Sequence, residues 1–513
     1  MITSNSKKII NLVIVVALSI ILFFRFRVIN GIDNFQLIQL YLRATNQIIY
    51  EDYGVLFGPG TSFLYIFFSK INFLNLSAIN SVAAISLIVT LFTSHIICKI
   101  YEISTKKYDL FLFLISSITF YTSIGGYYND HFSYAISLVG VYLYLKLQKN
   151  NFIKFFIIGI IFSIAFFFKT SFGLFLTISF VVSYLIEKKT INIFNKNLLS
   201  FYFGSIILFL LINIYFLVEL NYNFFKNTYL DSINTHILSG QKSFKQFVIA
   251  LIFPFKINLF QLINDLLDSN GGLFRLIFYP CVLIFYFGIY IFFKKISKPS
   301  FIITYILLSS WLVISIAGKG SFYFLLCTSL LLFLVLDYFK KNFLIVKSTL
   351  LIYFIILNLL EFNDINPNFK KIESKSGTFY LSQKNTNFNL DEINTLKDFI
   401  KNNKNKNYVF TNDDLNFIPF LYNRPPSQYL VDIGQMGSYI KEKDFQNYWE
   451  GFFDFSEKSK TTIYYVLTSN KSIRDPDNKK IVDDYIIPIM KKRVIKKIAV
   501  INNLTIFESQ KIN

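Results

Sequence analysis

The chain has 513 residues, of which 54% are hydrophobic and 62 are Phe, with a formal net charge of +20. Its uncharged runs of about 14 to 22 residues exclude a single soluble domain and read as a polytopic α-helical membrane protein. The basic balance does not point to nucleic acid, because Lys clusters in short stretches between the apolar runs and so reports topology.

In chain order, Lys7 and Lys8 precede the run Ile9–Phe24, and Arg25-Phe26-Arg27 follow it without a small-residue cleavage site. This predicts an uncleaved first span with a cytoplasmic N-terminus. Further spans are predicted at Ser77–Cys98, Leu110–Ile124, His131–Leu145, Phe155–Phe168, Ser171–Ile186, Leu198–Val218, Leu276–Phe293, Ser300–Ala317, Ser321–Leu336 and Ser348–Leu360, about eleven in all. Lys99, Lys106 and Lys107, then Lys146, Lys149 and Lys154, then Lys188, Lys189 and Lys196, then Lys294, Lys295 and Lys298, then Lys340, Lys341 and Lys347 all fall on the cytoplasmic side of this arrangement. It requires Thr61–Phe73, which is short and carries Lys70, to be an interfacial helix and not a span. Phe244–Leu267, with Lys245, Lys256 and Asp265, is read the same way.

After Leu360 the chain turns polar. A helix is predicted from Leu390, Ile393, Leu396, Phe399 and Ile400, opened by Asn389 as N-cap. Strands are predicted at Tyr408–Thr411, Ile463–Thr468 and Ile498–Phe507, the last broken by Asn502-Asn503 as in a hairpin. The expected organisation is a membrane region, 1–360, with a first outer loop at 25–76, and a small α/β domain, 361–513, placed outside by the odd span count. Cys98, Cys281 and Cys327 sit in apolar spans without disulfide or zinc spacing.

The outer connections carry the candidate chemistry. The first is dense in Arg25, Arg27, Asp33, Arg43, Glu51, Asp52 and Tyr53, and Asp33 opens a helical run where an N-cap role competes with a catalytic one. The second, Gly125-Gly126-Tyr127-Tyr128-Asn129-Asp130-His131, puts Asp130 at the start of a span, where an N-cap again competes. Two carboxylates at one membrane face suit proton removal from an incoming hydroxyl or amine, and His131 is placed to orient Asp130. Lys169 and Lys319 sit at span ends on that face. Each could simply snorkel; with Arg25, Arg27 and Arg43 they could instead hold a phosphate.

In motif order, Gly31-Ile32-Asp33, then Glu51-Asp52-Tyr53 through Gly58-Pro59-Gly60, then Tyr128-Asn129-Asp130-His131, then Phe168-Lys169-Thr170-Ser171-Phe172-Gly173, then Gly318 to Tyr323, the chain resembles integral-membrane glycosyltransferases of the GT-C type. The nearest likeness is to the bacterial branch related to protein O-mannosyltransferases and the lipid A aminoarabinose transferase. The resemblance implies a polyprenyl-phosphate sugar donor and a lipid, glycan or protein acceptor, with transfer on the outer face of the bacterial cytoplasmic membrane. It implies Asp33 as catalytic base or acceptor-positioning group, with Asp130 the acid of the second outer loop. Asp52 falls where many members carry an acid before a proline motif, here Gly58-Pro59-Gly60 in place of a Pro-Pro pair. Lys319 stands where a basic residue often precedes an aromatic or His-Tyr pair, here Phe322-Tyr323. The expected reaction is an inverting displacement in which Asp33 deprotonates the acceptor and Lys169, Lys319, Tyr323 and first-loop Arg residues hold the departing phosphate. No cofactor is required by the sequence, although a divalent ion bridging Asp33 or Asp130 to phosphate stays open. The rival readings are a lipid-linked polysaccharide polymerase or ligase, and a transporter or flippase. A transporter would place its ionisable groups at mid-membrane in broken helices.

Overall fold

A computed structural model describes residues 28–29, 58–70, scattered positions between 85 and 97, 128–147, 152–219, 284–293, 301–317, 348–356, 369–374, 377–382, 390–403, 407–410, 463–468, 482–492, 495–501 and 504–509, with single residues at 446, 450 and 480. The predicted spans Ile9–Phe24, Leu110–Ile124 and Ser321–Leu336 and the surface segment Phe244–Leu267 lie outside the described residues.

In chain order the elements are β1 (Val28–Ile29), α1 (Gly60–Lys70), α2 (Tyr128–Lys146), α3 (Phe152–Phe168), α4 (Thr170–Lys188), α5 (Lys196–Glu219) and α6 (Phe301–Ala317). They continue with β2 (Phe369–Ser374), β3 (Gly377–Ser382), α7 (Leu390–Asn402), β4 (Asn407–Phe410), β5 (Ile463–Thr468), α8 (Ile487–Lys492), β6 (Ile495–Ile501) and β7 (Leu504–Ser509). The chain divides into two compact units. One comprises Met1–Ile21, Val82–Phe216 and Gly240–Pro367; the other comprises Leu22–Ser81, Leu217–Ser239 and Asn368–Asn513. The first connection, grouped with the membrane region in the sequence reading, thus shares a unit with the C-terminal residues.

The first unit is built from α2 to α6. Contacts between α2 and α3 run in opposite chain directions: Ser133 Oγ donates to the Ala165 carbonyl at 2.6 Å, and Tyr144 meets Phe155 edge-on at 6.0 Å. The α3–α4 pair is antiparallel as well, with Phe162 on Phe180 at 4.9 Å and Phe155 on Tyr184 at 5.3 Å. By contrast, α3 and α5 run parallel and cross closely. An added Cβ on Gly159 would fall 2.1 Å from the Phe201 carbonyl oxygen, and one on Gly204 would fall 2.1 Å from that of Phe156. Small residues that let backbones approach are how helices pack where there is no water to drive them together. Aromatic rings fill the space between the helices: Phe301 of α6 reaches both Tyr144 (4.5 Å) and Phe180 (5.5 Å).

Long apolar helices with outward aliphatic side chains fit hydrocarbon better than water. The 24 residues of α5 span about 36 Å, enough to cross a bilayer core. Phe203, Ile206, Leu210, Leu211, Ile214 and Leu217 along α5 are exposed. The link from α4 to α5 is built by local polar chemistry. Lys189 adopts a left-handed conformation (φ 51°), and its N–H and that of Thr190 close the end of α4 on the Ile186 and Leu185 carbonyls. Asn195 then caps α5, its Oδ1 accepting from the Leu198 N–H at 3.0 Å.

The second unit contains α1, whose 11 residues reach only about 16 Å, too short to cross a bilayer core of about 30 Å. This unit also holds two sheets, ordered β1-β3-β2 and β4-β5-β7-β6. In the larger, β4 pairs parallel to β5, while β7 pairs antiparallel to both β5 and β6. The β6–β7 hairpin closes across Asn502-Asn503, with Ile501 opposite Leu504. Leu396 and Ile400 on the apolar face of α7 are buried. A single π-helical turn, Val482–Ile486, leads into α8, where Pro488 has no N–H to give to a regular ladder.

Candidate functional site

The antiparallel run of α2, α3 and α4 brings the start of α2 to the same end as the α3–α4 junction. Asp130 and His131 lie in the first turn of α2, and Lys169 is the one residue between α3 and α4. Two contacts hold the ends together: the Ser133 Oγ to Ala165 carbonyl bond, and the stack of Phe132 on Phe168 at 5.1 Å. Because α2 begins at Tyr128, Asp130 is its third residue and sits inside the first turn, where the sequence reading had weighed an N-cap. An acid in the first turn of a helix is favoured by the helix dipole.

Lys169 breaks the helix by its backbone. It is extended (φ −147°, ψ 105°), its carbonyl accepts the Gly173 N–H at 2.7 Å to start α4, and it makes no side-chain cap. The corner is tight, since a Cβ on Gly173 would come within 2.4 Å of Phe166 Cα. Lys169 is only 6% exposed, and Thr170 next to it and His131 in the first turn of α2 are buried too. A snorkelling lysine would place its ammonium in water instead. Ser133 and Thr170 are members of this buried polar group that the sequence reading did not single out. A hydroxyl at either place is unremarkable until the helices are paired.

Asp33, Arg43, Asp52, Lys319 and Tyr323 lie outside the described residues. Gly58-Pro59-Gly60 leads directly into α1, with Gly58 at φ 132° and the Phe63 N–H donating to the Pro59 carbonyl at 3.1 Å. Among the described residues, no three of His, Cys, Asp and Glu gather as a metal site.

At the opposite end of the same helices stands a second buried cation. Lys154 lies 4.8 Å from the Tyr144 ring centroid and donates to the Leu147 carbonyl. The Tyr144 hydroxyl donates to Glu187 Oε2, and Asn197 Nδ2 donates to Tyr184 Oη at 3.0 Å. Lys154 was read from sequence as a loop cation that sets topology, yet it is buried.

No protein-family model matches the chain, and no curated protein does. Among solved structures, ArnT from Cupriavidus metallidurans bound to undecaprenyl phosphate is similar at a TM-score of 0.51 and 9% identity, over 98% of this chain and 98% of that one. The apo state of the same protein is similar at a TM-score of 0.40 and 9% identity, over 97% of each chain. The likeness to the undecaprenyl-phosphate-bound structure shows the fold: the chain shares the architecture of that protein.

Proposed function

We propose that the chain is a glycosyltransferase that moves a sugar from a polyprenyl-phosphate donor to an acceptor at the outer face of the cytoplasmic membrane. The observation that carries this reading is a buried lysine at the α3–α4 break, at the same end of the helices as the start of α2 where Asp130 lies in sequence, in a chain with the fold of the ArnT structure. Fold alone does not fix chemistry, so the reading rests on these groups. That the similar ArnT structure holds undecaprenyl phosphate supports a lipid phosphate as the leaving group here.

In this mechanism, Asp33 accepts the proton of the acceptor hydroxyl or amine as its oxygen or nitrogen bonds to the anomeric carbon. The bond from that carbon to the phosphate oxygen breaks, and the polyprenyl phosphate leaves with the electron pair. Lys169, Lys319, Arg43 and Tyr323 stabilise the charge arriving on the phosphate, while Asp130 and Asp52 position the acceptor or the sugar. A lysine held in a protein interior acts on a phosphate more strongly than one in water, because the surrounding dielectric is lower.

The test is transfer of label from a panel of polyprenyl-phosphate sugars in membranes carrying wild type, Asp33→Asn or Asp130→Asn protein. Transfer by wild type that Asp33→Asn abolishes, with both proteins inserted, is the expected result. Transfer that both variants sustain at the wild-type rate would overturn the assignment of the acids.

A further inference from the structure

We infer that the link from α4 to α5 is a lipid anchor: its apolar side chains enter the headgroup boundary of the leaflet at that end of the helices, and the lysines around it hold the phosphates of anionic phospholipids. The inference needs only the membrane reading of the chain and is independent of the reaction proposed above. The link runs from Lys189 to Asn195, between the last residue of α4, Lys188, and the first of α5, Lys196. Ile191 is 95% exposed and Phe194 67%, with Ile193 exposed as well. Lys188, Lys189 and Lys196 are likewise exposed.

The polar side chains of the link are spent on its own backbone, and its apolar ones are left outward. Thr190 Oγ1 accepts from the Asn192 N–H at 3.1 Å, Asn192 Oδ1 accepts from the Phe194 N–H at 2.9 Å, and Asn195 Nδ2 donates to the Asn192 carbonyl at 2.8 Å. These bonds fix the turn before anything binds, so presenting Ile191, Ile193 and Phe194 to a lipid surface requires little further ordering. The apolar surface continues onto the helices that meet there. Ser200 Oγ near the start of α5 donates to the Phe152 carbonyl, which joins the start of α3 to the start of α5, and Ile153 is exposed beside it. Leu199, Phe203 and Ile206 then carry the exposed stripe along α5.

That continuity names the occupant. The apolar face of the link is an extension of the face that α5 turns to hydrocarbon, and cations stand at its margin. Apolar side chains beside lysines are what a segment buried about 5–10 Å into the headgroup and acyl boundary requires. The lysines select the headgroup: each one close to an anionic surface raises association roughly fivefold, less as salt rises. Glu187 lies 4.0 Å from the Lys188 ammonium and offsets part of its charge, so the selectivity comes chiefly from Lys189 and Lys196.

The test uses tryptophan fluorescence. Trp311 and Trp449 are replaced by Phe, and Phe194→Trp or Ile191→Trp then supplies a single tryptophan. Each protein is placed in phosphatidylcholine nanodiscs that contain an equal minor fraction of either phosphatidylcholine or phosphatidylglycerol brominated high on its acyl chains. Both tryptophans should be shielded from aqueous acrylamide and quenched by bromolipid, with brominated phosphatidylglycerol enriched around them by roughly fivefold for each lysine that acts. In the combined variant Lys188→Gln, Lys189→Asn, Lys196→Gln, the two bromolipids should quench equally while the shielding persists. Asn keeps the left-handed backbone at 189, and the lysine clusters of the other connections keep the topology. Tryptophans quenched by acrylamide and untouched by bromolipid overturn the anchor. Equal quenching by the two bromolipids before the lysines are changed, or a preference for phosphatidylglycerol that survives their loss, overturns the assignment of anionic headgroups to these lysines.

Discussion

The close crossing of α3 and α5 makes a graded prediction about stability. An alanine Cβ at Gly159 or Gly204 meets a backbone carbonyl oxygen at 2.1 Å, where real Cβ contacts essentially never fall below 3.0 Å. The two helices must separate by roughly 0.9 Å to accept one methyl group, because a backbone oxygen cannot rotate away as a side chain can. That separation strains the Ser205 Oγ bond to the Gly159 carbonyl, now 3.0 Å, and loosens the Phe156–Phe203 and Phe167–Phe209 contacts at 5.8 and 6.1 Å. Overpacking costs about 1–3 kcal/mol and a weakened interhelical hydrogen bond about 0.6 kcal/mol, so each Ala variant should lose about 2–3 kcal/mol. At Gly140 the obstacle is the ring edge of Phe162 at 2.7 Å, the far end of a side chain, and Gly140→Ala should cost clearly less. Thermal unfolding in detergent ranks the variants. The Gly159→Ala, Gly204→Ala double variant should lose much less than the sum, because the first methyl already opens the gap for the second. Wild-type Tm for the single variants, or full additivity in the double, would refute the shared close contact.

Three further outcomes are expected. Lys169→Met should lower kcat/KM for label transfer by about 10²- to 10³-fold while Lys169→Arg retains part of it; wild-type transfer by Lys169→Met would remove this lysine from the site. Lys189→Gly relieves a left-handed residue at the end of α4 and should stabilise by about 1 kcal/mol, read as a raised Tm, whereas a fall would show that the Lys189 side chain matters more than its backbone. Burial, and then the Glu508 carboxylate opposite it in the sheet, push the Tyr464 phenol above its ordinary value. The folded state therefore keeps that proton more tightly than the unfolded chain, a contribution fully present below about pH 10 and lost as pH rises through the folded value. Tyr464→Phe should flatten the alkaline loss in denaturation midpoint, and an unaltered profile would count against it.

Legibility from sequence followed the range of the forces involved. The apolar run Phe155–Phe168 lies within the observed Phe152–Phe168, and Ile463–Thr468 has the same limits in both, because a helix or strand with a buried face writes its period locally. The hairpin across Asn502-Asn503 was legible for the same reason, turn residues standing between two apolar runs. The strand Val28–Ile29 was not, since its partner is the distant Tyr380–Leu381 and two residues carry no period. The β2 strand, Phe369–Ser374, was equally silent with its sequence Phe-Lys-Lys-Ile-Glu-Ser, as was the π-turn ahead of Pro488. At the site, the alternation of spans suggested that Asp130 and Lys169 share a face. Only the pairing of helices reveals Ser133 and the Phe132–Phe168 stack that join those two ends.

Lys154 and Lys169 show why charge patterning stops short of roles. Lys154 lies in the first turn of α3 and Lys169 just past its last residue, and both are buried. The positive-inside rule counts Lys154 as a solvated topology signal, but its ammonium lies over the Tyr144 ring and donates to the Leu147 carbonyl. Tyr144 in turn donates to Glu187, so the chemistry at that end consists of a cation–π contact, a carbonyl and a carboxylate linking α2, α3 and α4. The Lys169 end has a different composition. His131, Ser133 and Thr170 are buried at that end, where a break in the helix leaves the link extended and the backbone out of its ladder. Irregular backbone in a membrane protein is tolerated where it is buried in protein or lines a cavity. That difference in backbone is why the proposed mechanism uses the Lys169 end for the substrate phosphate and leaves Lys154 a packing role.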